Sequence, residues 1–331
     1  LEIESSYENY FFNEEIIESI NFLSKYTCNS LSIILKNFLS GFKENLKRLE
    51  LLDYNHKFKL PTLSDEQKKA LSSINKKVQN SFNVISLYGV TGSGKTRVYM
   101  NIVKEKLKKK FQCLILVPEI ILTKEWVNEI FDDFGIVAEI YHSSIKASKK
   151  AKIWNHIILN KSILIIGTRS SLFLPFKNLG IIVVDEEHDP SYKQEDKLII
   201  NARDFAIIRA KNSNCPIILS SATPSIENVY NCKKKKFTEI QMLKRVNKVP
   251  LPNIQIIDMR KEKNIISKEL NLQIKKNLHL NLQTMIFINK RGYTSYTLCK
   301  KCGFIKQCAK CNVSLVLHNY INKESFLLCH H

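Results

Sequence analysis

Apolar runs of four to six residues, each closed by a turn signal, dominate the middle of this chain. NVISLYG (83–89), CLILVP (113–118), SILIIGT (162–168), GIIVVDEE (180–187) and CPIILSSAT (215–223) are continuously hydrophobic rather than alternating. Segments with apolar residues at helical spacing separate them, one opening at Lys95 and another at TKEWVNEIFDDF (123–134). Continuous apolar strands joined by helices predict a parallel sheet covered on both faces. Upstream, residues 11–45 carry FNEEIIESINFLSKY, whose spacing predicts one or two helices. A polar stretch from Asp53 to Lys59 ends at Pro61, a boundary signal. KKKKF (233–237) reads as an exposed linker. After it a strand (IQIID, 254–258), a helix (SKELNLQIKKNLHL, 267–280) and a strand (TMIFIN, 284–289) predict the start of a second α/β unit. There is no internal repeat.

The chain's 331 residues suffice for two or three domains, each with its own core. Hydrophobic residues at 44% and charged residues at 25% describe an ordinary globular composition. No uncharged apolar run approaches the length of a membrane span, and no signal peptide opens the chain, so no membrane partner is expected. The first residue is Leu1, which suggests a segment of a longer product. Nine cysteines without a secretory signal point to a reducing cytoplasm, where clustered thiols hold metal more often than they form disulfides. A net charge of +20 invites a nucleic-acid partner through counterion release. Only eight of the 51 basic residues are arginine, however, and lysine-rich solvated faces account for part of that excess.

GVTGSGKT (89–96) follows one of the predicted strands and opens a helix, the context a phosphate-binding loop needs. Gly89, Gly92 and Gly94 let the backbone curl so that the amides of the loop, that of Ser93 included, point inward at phosphate. The helix start adds roughly half a positive charge. Lys95 supplies a mobile cation for the β and γ phosphates and Thr96 a hydroxyl for Mg²⁺. IIVVDEEHD (181–189) places acidic groups at the C-terminal end of a buried strand, where ligands of α/β sheets sit. Asp185 is the expected Mg²⁺ ligand and Glu186 the group that polarises the attacking water. SSATPS (220–225) ends the next strand, and the hydroxyls of Ser221 and Thr223 are candidates for reporting γ-phosphate state to a neighbouring site.

The order phosphate loop, DEEH, SAT resembles superfamily 2 helicases and translocases. LSDEQKKAL (63–71) lies upstream, where that superfamily sets a glutamine, here Gln67, against adenine. Longer stretches narrow the likeness. LVPEIILT (116–123), IGTRSSLFLPFKNLGIIVVDEEHDPSYKQEDKLIINARDFAIIRA (166–210) and FINKRGYTSYTLCKKCGF (287–304) closely resemble the primosomal protein N′ family of bacterial replication-restart helicases. The resemblance runs from about residue 11 to the end. It implies a RecA-like helicase lobe followed by the start of a second lobe that carries a zinc-binding insertion. It further implies an ATP-dependent 3′-to-5′ DNA helicase acting at stalled forks and recombination intermediates. Its implied partners are forked and single-stranded DNA, other primosome proteins and single-strand-binding protein, and its implied location is the bacterial cytoplasm, near the nucleoid. SYKQEDKLIINARD (191–204) matches the family's aromatic-rich loop, which makes Tyr192, Lys193, Gln194 and Arg203 candidate DNA contacts, together with Arg169 in GTRS.

On this reading residues 1–48 are the end of an N-terminal DNA-binding domain, 49–62 a linker and 63–232 helicase lobe 1. Residues 233–260 form an inter-lobe linker, 261–298 the start of lobe 2 and 299–331 a cysteine-rich module. The front of the N-terminal domain, the family's winged-helix domain and the later lobe-2 motifs are absent from the sequence. Residues 1–331 by themselves are therefore expected to bind nucleotide but to hydrolyse and unwind weakly. Cys299, Cys302, Cys308, Cys311 and Cys329 fall within the last 33 residues. Two CxxC pairs can wrap one tetrahedral Zn²⁺ at about 2.3 Å per sulfur. The resemblance implies instead two zinc ions in nested sites, both short of ligands here, with His330 or His331 more readily bystanders than substitutes. Two other functions compete: a different superfamily 2 DNA translocase, and a non-catalytic DNA-binding or zinc-dependent docking fragment.

Overall fold

The computed structural model describes residues 11–42, 56–59, 62–78, 81–118, 124–161, 163–195, 198–246, 250, 252–262, 266–287, 302, 304–309, 314–318 and 326–329. The chain divides into two units, residues 1–251 and 252–331.

The first unit opens with α1 (Glu14–Thr27) and α2 (Leu31–Phe38). Asn13 caps α1, its side chain accepting from the Ile16 amide at 3.3 Å. Glu14 and Glu15 complement the helix dipole in the first turn. There follow α3 (Asp65–Lys77), β1 (Val84–Gly89), α4 (Lys95–Lys108), β2 (Gln112–Leu116), α5 (Lys124–Phe134), β3 (Ala138–Tyr141), α6 (Ala147–Ile158), β4 (Leu164–Gly167) and β5 (Leu179–Asp185). The short pair β6 (Lys193–Gln194) and β7 (Ile200–Asn201) precedes α7 (Ala202–Asn212), β8 (Ile217–Ser221), α8 (Ile226–Lys233) and β9 (Thr238–Met242). Seven strands form one sheet in the order β3-β4-β2-β5-β8-β1-β9, and every pairing in it is parallel.

The pleat sorts the apolar runs onto the two faces. Cys113 and Ile115 of β2, with Ile181 and Val183 of β5, pack among α3, α4 and α5. Leu114 and Leu116, with Ile182 and Val184, face the opposite layer, where α1, α2, α6 and α7 lie. This is why the strands read as unbroken hydrophobic runs. The two N-terminal helices belong to that second layer rather than to a separate body. Ile16, Ile20, Leu23, Ile34 and Phe38 are buried in it, and Trp154 donates from Nε1 to the Phe38 carbonyl at 2.8 Å. Arg209 is 2% exposed. It donates to the Leu174 carbonyl at 3.0 Å and lies 5.6 Å from the Phe38 ring.

Two readings of the sequence need correction. The segment 233–260 is not linker throughout, because β9 lies within it and forms the sheet edge beside β1. Its burial alternates and a lysine run precedes it, features of a protected edge strand. In the second unit, 254–258 and the described part of 284–289 carry no strand. Ile256 is 92% and Met285 93% exposed, with no partner strand among the described residues to bury them. That unit contains α9 (Lys268–His279), capped by Ser267, and a hairpin of β10 (Val316–His318) with β11 (Phe326–Leu328). None of the described helices is long and apolar enough to cross a membrane.

Candidate active site

Because the sheet is parallel, the C-terminal ends of its strands share one edge. There β8 lies between β5 and β1, with Asp185 in register with Ser220 and Tyr88 in register with Ser221. The phosphate loop, the acidic run and the SAT segment therefore occupy three neighbouring strand ends.

The loop between β1 and α4 is held from several sides. Gly92 and Gly94 have φ of 80° and 78°, left-handed conformations that an L side chain adopts only under strain. A Cβ on Gly94 would also collide with the Gln67 amide nitrogen. Lys95 is 9% exposed and its ammonium donates to the Gly89 carbonyl at 2.9 Å. Burial lowers its pKa, opposed by the nearby Glu186 and Asp185 carboxylates. Among the described residues Ser93 Oγ is buried with no hydrogen-bond partner. A curled loop with left-handed glycines, a buried lysine and an orphaned hydroxyl fits a polyphosphate.

Asp185 is buried, and burial raises its pKa. Tyr99, on α4, donates from its hydroxyl to Asp185 Oδ2 at 2.9 Å. Asp185 Oδ1 accepts from the Glu186 amide at 3.2 Å. Glu186 has φ of 46°, a left-handed conformation that costs a non-glycine residue on the order of 1 kcal/mol or more. Burial raises its pKa, with Asp185 as the next cause. His188 Nδ1 lies 2.8 Å from Ser221 Oγ, which also accepts from the Thr223 amide at 2.9 Å. The acidic run and the SAT segment are thus joined by a direct hydrogen bond.

The remaining carboxylate of the run, Glu187, faces inward. It accepts from the Ser225 amide at 2.8 Å, Ser225 Oγ at 3.0 Å, Asn228 Nδ2 at 3.0 Å and Arg203 Nη1 at 3.2 Å. This corrects the expectation for Arg203, whose guanidinium ties Glu187 to α8 instead of facing a nucleic acid. Tyr192 is likewise turned in. It is 2% exposed, and its hydroxyl donates to the carbonyls of Asp185 at 2.6 Å and Leu116 at 3.1 Å. The ring supports the acidic strand end and presents no face for stacking. Lys193 is exposed and Gln194 half-buried. Arg169 reaches the Lys193 carbonyl from Nη1 at 3.2 Å.

Gln67, the expected adenine contact, lies beside the phosphate loop. It is 1% exposed. Its Oε1 accepts from the Ser64 amide at 2.9 Å, closing the capping box of α3, and its Nε2 donates to the Ser93 carbonyl at 3.0 Å. Gln67 therefore braces the phosphate loop. Tyr99, Glu187 and His188 were missed as site residues. Tyr99 could have been found from its spacing, since it follows Lys95 by four residues on one helix face.

In the second unit Cys302 is exposed, and Cys308 and Cys329 are half-buried. Cys308 directly follows Gln307, which forms an isolated antiparallel bridge with Ser314. Cys299 and Cys311 lie outside the described residues. Among the described residues no group of three His, Cys, Asp or Glu side chains converges as a metal site.

Residues 64–232 match the model of the DEAD/DEAH box helicase family. The chain is 44% identical over 322 residues to the replication restart protein PriA of Rickettsia prowazekii, covering 96% of this chain and 49% of that protein. It is 35% identical over 307 residues to the protein of the same name from Bacillus subtilis, covering 91% of this chain and 38% of that one. The chain thus spans half or less of the length of these relatives.

Proposed function

The chain belongs to the DEAD/DEAH box helicase family, and on that premise we propose that it is the motor portion of an ATP-driven DNA helicase for bacterial replication restart. The observation that carries this reading is the convergence of the phosphate loop, the acidic run and the SAT segment on adjacent strand ends.

In this reading the amides and glycines of 89–96 cradle the β and γ phosphates of ATP, and Lys95 exchanges the Gly89 carbonyl for phosphate oxygen. Thr96 and Asp185 hold Mg²⁺, which when bound neutralises charge on the phosphate oxygens. Tyr99, by its hydrogen bond to Oδ2, would hold the Asp185 carboxylate in one orientation for that role. Glu186 takes the proton of the attacking water, a role suited to a carboxylate whose pKa is raised by burial. His188 and Ser221 relay the state of the site to the SAT segment, with Thr223 at its exposed end. Arg169, Lys193 and Gln194 are the accessible DNA contacts, and the sequence's net charge of +20 supports a phosphate-backbone partner.

The relatives' name supports the finer assignment to replication restart; forked and single-stranded DNA, primosome proteins and single-strand-binding protein are the partners proposed with it, in the bacterial cytoplasm. Cys299, Cys302, Cys308, Cys311 and Cys329 are assigned to zinc, which when bound supplies the rigidity that a segment with so small a core lacks. Soft thiolates in paired CxxC motifs suit that ion.

ATP turnover with and without forked DNA tests the proposal, with Glu186→Gln as the control that binds but does not hydrolyse. The reading expects nucleotide binding and fork-dependent stimulation, weak in residues 1–331 alone. A chain whose nucleotide affinity and turnover are both indifferent to DNA overturns it.

A further inference from the structure

The chain leaves β9 through Leu243–Val246, and this stretch is hydrogen-bonded to the phosphate loop at both ends, through Met242 of β9 and through Val246. The Val90 amide donates to the Met242 carbonyl at 3.1 Å, and the Val246 amide to the Gly92 carbonyl at 3.0 Å. Val246 Cγ2 and Arg245 Cγ stand 3.4 and 3.9 Å from the points where side chains on Gly94 and Gly92 would begin. The segment therefore forms a wall of the loop. What holds the wall in place lies on the first turn of α3. One oxygen of Glu66 accepts from the Leu243 amide at 2.9 Å and the other from the Lys244 amide at 3.0 Å. The next residue, Gln67, grips the loop itself through the Ser93 carbonyl.

Two consecutive side chains thus hold the loop and its wall from one helix turn. Glu66 is half-exposed, so packing does not require a carboxylate there. Two converging backbone N–H donors favour one, because a carboxylate offers a separate charged oxygen to each, whereas an amide has a single neutral oxygen for both.

We infer that Glu66 is a positioning residue of the nucleotide site: it pins Leu243–Val246 against the phosphate loop and so preorganises the loop for ATP–Mg²⁺. The inference rests on the nucleotide-site reading above.

The test combines hydrogen exchange over 242–246 with ATP–Mg²⁺ titration of the full chain as wild type, Glu66→Ala and Glu66→Gln. Glu66→Ala should lose amide protection over this segment, bind ATP–Mg²⁺ about fivefold more weakly and keep its thermal midpoint within about 2 °C. Glu66→Gln, with one acceptor left, should fall between. Lost protection with unchanged ATP affinity overturns the inference and leaves the nucleotide-site reading standing. Unchanged protection in Glu66→Ala also overturns it. A wild-type chain that binds no ATP–Mg²⁺ overturns both.

Discussion

Replacing Arg203 by methionine separates two roles for a residue that the sequence assigns to DNA and the fold assigns to the interior. Its guanidinium donates to Glu187 Oε2 at 3.2 Å, Ser225 Oγ at 2.7 Å and Asp204 Oδ1 at 2.9 Å. The Glu187 side chain is 0% exposed and that of Arg203 10%. Methionine fills similar volume but strips the cation, leaving a carboxylate out of water with Ser225 and Asn228 as its remaining donors among the described residues. Breaking a buried pair from one side costs about 3–5 kcal/mol, and the surviving donors place this case near the low end, about 3 kcal/mol. For a unit of this size that corresponds to a Tm lower by about 6–12 °C. Urea and thermal unfolding of Arg203→Met against wild type measure the loss. Single-strand affinity of the folded variant, read at low temperature, should stay within about twofold. A stability loss below about 1 kcal/mol together with a tenfold or greater fall in DNA affinity, roughly 1.4 kcal/mol of binding, would refute the reasoning.

Further outcomes follow from the same geometry. Tyr99→Phe removes the donor to Asp185 Oδ2 and should weaken Mg²⁺-dependent ATP binding about tenfold, read from Mg²⁺ titrations at fixed ATP. Ile34→Ala should destabilise the whole first unit by about 3 kcal/mol in a single cooperative transition, because Ile34 is 0% exposed in the layer shared with α7; separate melting of 11–42 would contradict that. Elemental analysis should find zinc that is lost on replacing Cys308 and Cys311 by serine, and zinc retained in full by that variant would contradict the metal assignment.

Much of the first unit was legible because its strands are buried on both faces. A run such as CLIL has no polar alternation to misread, and turn residues mark where each strand stops. The order of the motifs then fixed their neighbourhood, since parallel strands deliver all their C-terminal ends to one edge. The edge strand β9 was missed for the opposite reason: TEIQM alternates, and the lysines before it resemble a linker. Rotamers were illegible too. Sequence places Tyr192 and Arg203 near the acidic run, but the carbonyls of Asp185 and Leu116 and the Glu187 carboxylate decide that both point inward. Gln67 illustrates the same limit, because nothing in its sequence position shows that its amide both closes a capping box and braces the phosphate loop.

The most direct measurement is a fluorescent-ATP titration of wild type, Lys95→Ala and Asp185→Asn, each with Mg²⁺ and with EDTA. If the ends of β1 and β5 form one ATP–Mg²⁺ site, Lys95→Ala weakens binding about thirtyfold or more. Replacing Mg²⁺ by EDTA then weakens wild type but leaves Asp185→Asn unchanged. Equal affinity in all three proteins, or a Mg²⁺ response in Asp185→Asn as large as in wild type, would contradict the account.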